Sequence, residues 1–156
     1  MKLTVRSPAF KAGEPIPKTH TGEAEDLSPE LTWSEVPSGA EELALYVDDP
    51  DAPGGDWVHW VIYKIPVTTK KLKAGIAREA RLNDPIGTLQ GKNSWGTTGY
   101  RGPMPPPGHG VHHYRFKLYA LNAPLTLSAG ATKAQLLSAM RGHILADGEL
   151  VGTYAR

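Results

Sequence analysis

The 156-residue chain contains no cysteine. That excludes a disulfide framework, a thiol nucleophile and any cysteine-ligated zinc or iron–sulfur centre. Nor does one sign of charge dominate: 17 lysines and arginines against 16 aspartates and glutamates leave a formal +1. No broad field therefore draws it to nucleic acid or to an anionic membrane. It also lacks any run approaching the roughly 18 apolar residues that cross a bilayer, so membrane insertion is not expected. The opening Met1-Lys2-Leu3-Thr4-Val5-Arg6 lacks the long apolar core of a signal peptide. A cytoplasmic location is the expectation, although a cysteine-free chain also suits an oxidising compartment.

What the chain has in excess is 17 glycines and 14 prolines. That load implies many turns and argues against a helical bundle. The length fits one domain, since domains commonly run to roughly 100–200 residues. No internal repeat or boundary divides it, so residues 1–156 read as one unit. Short extended pieces are predicted at Leu3–Val5 and Leu31–Trp33, then an apolar strand at Leu43–Val47 and an aromatic, β-branched one at Trp57–Ile65. Asn83–Gly110 is too broken by glycine and proline for long elements and reads as a long structured loop.

From His112 the pattern alternates strictly. His112, Tyr114, Phe116, Leu118 and Ala120 fall on one strand face, expected to be inward. His113, Arg115, Lys117 and Tyr119 fall on the other, expected to be largely solvated. A helix is predicted from a Thr132/Gln135 capping box, with Leu137, Met140 and Ile144 at helical spacing. Asp147-Gly148 reads as its stop before a last strand, Leu150–Tyr154. The expected fold is mainly β with one late helix.

Several residues could carry chemistry. Asp48-Asp49-Pro50-Asp51-Ala52-Pro53 makes a proline-locked acidic corner after the apolar strand, and a cis Ala52-Pro53 bond is expected there. The plain alternative is a strand-ending turn. His59 and His112 each sit in an apolar strand, as core residues or as half-buried ligands for an anion or carboxylate. His109, His112 and His113 resemble a metal cluster, but His112 and His113 are adjacent on a strand and face opposite ways. No metal and no cofactor are expected. No Gly-x-Ser-x-Gly elbow exists, and Ser94 has no evident base beside it. An enzyme, either a hydrolase or a metal-dependent lyase, would have to use His59, His112 and Asp49. The loop Gly102–Gly110 suits a binder better, because glycines let a ligand approach backbone N–H groups closely.

Ser28-Pro29-Glu30-Leu31-Thr32-Trp33, Asp49-Pro50-Asp51-Ala52-Pro53, Trp57-Val58-His59-Trp60, Tyr100-Arg101-Gly102-Pro103 and Gly110-Val111-His112-His113-Tyr114 follow one another in order. Together they resemble the phosphatidylethanolamine-binding protein family, also called Raf-kinase-inhibitor-like, in its short bacterial and archaeal branch. The resemblance implies a Greek-key β-sandwich with one or two peripheral helices and a small anion pocket for phosphate-type or phosphoethanolamine-like groups. It places that pocket at Asp49, Asp51, Trp57, His59, His112 and Tyr114, with Gly102 and Pro105 lining the approach. It implies no catalytic residue. The partners it implies are a small phosphorylated or zwitterionic ligand or a phosphorylated protein. It is compatible with a homodimer and with inhibition of a protease or kinase through surface loops. Met104 departs from the eukaryotic pattern, which tends to carry glycine there, and is expected to narrow the mouth.

Overall fold

The computed structural model describes residues 2–156. A six-stranded antiparallel sheet is built from β3 (Glu42–Asp49), β4 (Trp57–Pro66), β6 (Arg81–Asn83), β7 (Ile86–Gln90), β8 (His112–Leu121) and β9 (Ile144–Tyr154), in the order β6-β7-β4-β3-β8-β9. A three-stranded sheet of β1 (Val5–Arg6), β2 (Leu31–Trp33) and β5 (Lys71–Leu72) packs on one of its faces. Within the large sheet β8-β3-β4-β7 is a Greek-key arrangement: β3, β4 and β7 neighbour one another, and a long connection returns β8 beside β3.

The core between the sheets joins Val5, Leu31 and Leu72 to Leu43, Leu45, Val47, Trp60, Ile62, Phe116 and Leu118. A second cluster covers the opposite face of the large sheet. There Ala44, Tyr46, Val61, Tyr63, Tyr119 and Leu121 meet Leu136 and Met140 of the helix α1 (Lys133–Met140). Burial on both faces explains why β3 reads as a continuous apolar run rather than an alternation. It also corrects the expectation for Tyr119. That side chain is buried, stacks on Tyr46 and shares a 3.3 Å hydroxyl contact with it.

The capping box forms as the sequence predicts: the Thr132 side chain accepts from Gln135 N, and the Gln135 side chain accepts from Thr132 N. The helix is nevertheless shorter than expected. Leu136 and Met140 are its buried residues, Leu137 is 37% exposed, and Ile144 already belongs to β9. Gly142, at φ +82°, follows the helix end. Asp147-Gly148 is no stop either, since β9 runs straight through it. A Cβ on Gly148 would lie 2.2 Å from the Leu3 carbonyl oxygen, so the glycine marks a close backbone crossing rather than a turn. Likewise the segment from Asn83 holds the strand β7 before the loop begins. No helix among the described residues is long and apolar enough to cross a membrane.

A buried ion network fastens α1 to the sheet. Asp48 is fully buried and takes two bonds from Arg115, Nε at 2.8 Å and Nη2 at 2.9 Å. Lys133 Nζ donates to it at 2.6 Å, donates to Asp56 at 2.6 Å, and lies 4.6 Å over the Tyr46 ring. Burial by itself would raise the Asp48 carboxyl, but the hydrogen bonds from Arg115 and Lys133 win and hold it below its ordinary value. A depressed carboxylate contributes stability that is complete above the unfolded-state value of about 3.9 and is lost as pH falls through the folded one. Asp48→Asn should therefore cost about 3 kcal/mol in urea unfolding at neutral pH. That is the lower end for breaking a buried pair, because Arg115 and Lys133 keep some contact with water. The variant's stability should also fall less steeply than the wild type's as pH is lowered below about 4.

Candidate functional site

The corner after β3 is turned by glycine. Gly54 and Gly55 hold φ of +84° and +110°, and Gly55 N donates to Ala52 O at 3.0 Å. The expected cis bond at Ala52-Pro53 is not found; among the described residues the cis peptide is Asp84-Pro85. The two glycines supply the reversal that the cis bond was expected to supply.

Beside this corner lies a cavity of about 280 Å³. Asp49, Trp57, His59, Pro105, His112 and Tyr114 all line it, despite the sequence distance between them. Strand pairing explains the convergence: Asp49 and Trp57 are paired across β3 and β4, and β8 runs beside β3. Two proposed residues lie elsewhere. Asp51 faces outward and takes bonds from His113 N and His113 Nδ1, both at 2.8 Å. The His113 side-chain bond holds its carboxyl below the ordinary value. Gly102 is buried behind the wall; its N–H donates to Asp26 Oδ1 at 2.7 Å.

Asp49 is 3% exposed and His112 2%. His112 Nδ1 donates to Asp49 Oδ2 at 2.6 Å, and Asp51 N donates to Asp49 Oδ1 at 2.8 Å. The proline corner therefore does hold Asp49 in place, through the backbone N–H that follows Pro50. His59 is 3% exposed and donates its Nδ1–H to Arg101 O at 2.6 Å, while Arg101 N donates back to His59 O at 3.0 Å. Burial lowers the His59 pKa and keeps the ring neutral. With Nδ1 engaged as a donor, its other nitrogen can only accept. The His59 ring meets Trp95 and Tyr114 edge-on, each at 5.1 Å. Burial, then the neighbouring Asp49 charge, raises the Tyr114 hydroxyl well above its ordinary value, so it stays a neutral donor.

Trp95, Ala52, Pro53, Met104 and Pro106 complete the lining and were not singled out as ligand residues from sequence. Trp95 packs edge-on against Trp57 at 5.4 Å, with the Arg101 guanidinium 4.8 Å from its ring centre. Its neighbour Ser94 is occupied structurally: Val58 N donates to Ser94 Oγ at 2.7 Å. Among the described residues no lysine, arginine, serine, threonine or cysteine lines the cavity.

The wall behind His59 depends on Gly102. A Cβ there would lie 2.0 Å from the His20 carbonyl oxygen and 2.8 Å from Asp26 Oδ1. Gly102→Ala must displace backbone, and should cost about 2–3 kcal/mol in urea unfolding. A cost below about 0.5 kcal/mol would mean that the wall is free to shift.

The sequence profile described as phosphatidylethanolamine-binding protein matches residues 6–155. A UPF0098 protein of Methanothermobacter thermautotrophicus is 46% identical over 154 residues, which is 99% of each chain. Among solved structures, the Chlamydia trachomatis homologue CT736 is 39% identical with a TM-score of 0.89, covering 99% of this chain and 98% of its own. E. coli YbcL, described as a member of the mammalian PEBP family, is 34% identical with a TM-score of 0.92, covering 100% and 99%. With a profile matched along nearly its whole length, the chain belongs to the phosphatidylethanolamine-binding protein family.

Proposed function

We propose that this protein is a binding module whose cavity takes the phosphoryl group of a small phosphorylated or zwitterionic ligand, phosphoethanolamine-like headgroups above all. The observation that carries this reading is the buried Asp49–His112 pair set beside neutral His59 under two tryptophans. A cavity of about 280 Å³ is headgroup-sized, at or below the roughly 300–1,000 Å³ of drug-sized sites. His112, oriented through Nδ1 by a carboxylate, is the group to meet a phosphoryl oxygen. His59 offers an acceptor for an ammonium N–H, and the Trp57 ring suits a cation. A zwitterion uses both halves; a bare anion uses one.

An enzymatic reading has less support. The lining offers no serine, threonine, cysteine or lysine nucleophile, and Ser94 is spent on the backbone of β4.

Calorimetric titration with sulfate and phosphoethanolamine tests the proposal. Sulfate carries no ammonium group, so it probes the anion-binding half of the cavity alone. His112→Ala should weaken both ligands roughly ten- to a hundredfold, the worth of one charged hydrogen bond. Asp49→Asn should weaken both ligands, because Asp49 orients the ring that meets the phosphoryl oxygen. Unfolding midpoints of both variants confirm that the fold is retained. Affinities unchanged by either substitution would remove the site.

A further inference from the structure

His112 has two ring nitrogens, and both are already engaged. Nδ1 faces Asp49; Nε2 lies 2.6 Å from His109 Nδ1, with the two rings 4.9 Å apart. One hydrogen sits between the imidazoles. Whichever ring carries it, His112 Nε2 has no capacity left for another partner. A phosphoryl oxygen binding there would have to occupy the place that His109 Nδ1 now holds.

His109 is built to leave that place. Unlike His112 it is exposed, and glycines flank it on both sides. Gly108 and Gly110 hold φ of +76° and +96°, and a Cβ on either would meet nothing within 4 Å. The base of the segment is fixed, because Pro105, Pro106 and Pro107 precede it and Gly108 N donates to Arg156 O at 3.1 Å. His109 N donates to Pro106 O at 3.1 Å, so the backbone is held and the exposed ring is free to turn on its own side-chain bonds.

We propose that His109 is a cap at the edge of the cavity, covering His112 Nε2 in the ligand-free protein and swinging out when a phosphoryl oxygen takes its position. This rests on reading the cavity as a phosphoryl site. It adds a selection rule: an incoming group must outcompete the hydrogen bond between the two imidazoles. A charged oxygen does so, since its hydrogen bonds are roughly twice as strong as neutral ones, whereas a carbonyl or hydroxyl does not.

The cap is tested without ligand by the reaction of His112 with diethyl pyrocarbonate, followed by fragment mass spectrometry at early times. His109→Ala should raise the rate at His112 about tenfold. His109→Phe keeps the bulk but loses the bond, and should raise it similarly. An unchanged rate in Ala overturns the cap, and a wild-type rate in Phe overturns its hydrogen-bonded nature. In phosphoethanolamine titrations both variants should bind roughly two- to tenfold tighter, because the neutral bond that held the closed form is gone. Weaker binding would make His109 a direct ligand contact and overturn the cap. Absence of binding in every form, wild type included, would overturn the phosphoryl reading, while the reaction rates still decide whether His109 covers His112.

Discussion

Two consecutive carboxylates buried at the end of one strand govern the rest of this structure. Asp48 is 0% exposed and Asp49 3%, and a carboxylate at such depth is tolerated only when its charge is met. Side chains alternate along a strand, so the two point to opposite faces of the large sheet. Asp48 turns toward α1 and is met by Arg115 and Lys133; Asp49 turns toward the cavity and is met by His112 and Asp51 N. Both solutions depend on the register of β3 against β8, in which Asp48 stands opposite Arg115. A slip of one residue would exchange the faces, bringing Asp49 to the cations and leaving Asp48 before an imidazole. The register that makes the core thus also makes the site.

The histidines of the cavity, alike in sequence, differ in role because of what their Nδ1 atoms meet. His59 gives its Nδ1–H to a carbonyl, which fixes the tautomer without supplying a charge, and burial keeps it neutral. His112 gives its Nδ1–H to a carboxylate, which fixes its orientation from the β3 side. Both rings are thereby fixed in orientation within a space too small for a large ligand.

Much of this was legible in the sequence, and where reading failed the cause is physical. The alternation from His112 to Ala120 showed the inner face because one side packs between sheets. Tyr119 escaped because the other side is covered too, by a helix whose position no local pattern reveals. Asp49, Trp57, His59, Pro105, His112 and Tyr114 were marked by family-like motifs and do line the cavity. Asp51 and Gly102 belong to the same motifs but serve the frame: one pairs with His113, the other passes too close to His20 to carry a side chain. A motif records what must be kept, whether for a ligand or for the wall behind it. Trp95 gave no signal because its loop has no period. Gly148 looked like a turn residue, since a close backbone crossing and a turn place the same demand on composition.

The ion network on the far face also bears on the cavity. Lys133 Nζ reaches two carboxylates that bracket the corner, Asp48 before Asp49 and Asp56 before Trp57. Between those points the chain holds Ala52 and Pro53, which line the cavity, and the glycines that turn it. A corner with two left-handed glycines would otherwise sample many conformations. Pinning both of its ends to one ammonium group, itself fixed on the first residue of a capped helix, restricts that freedom from behind. Asp49 and Trp57 then face each other as a strand pair, and the distance between the carboxylate and the aromatic wall is set by the sheet rather than by the loop. The cavity thus has one firm side, made of β3, β4 and β8 and braced by α1. The opposite side is made by Met104, Pro105 and Pro106 of the proline-rich loop.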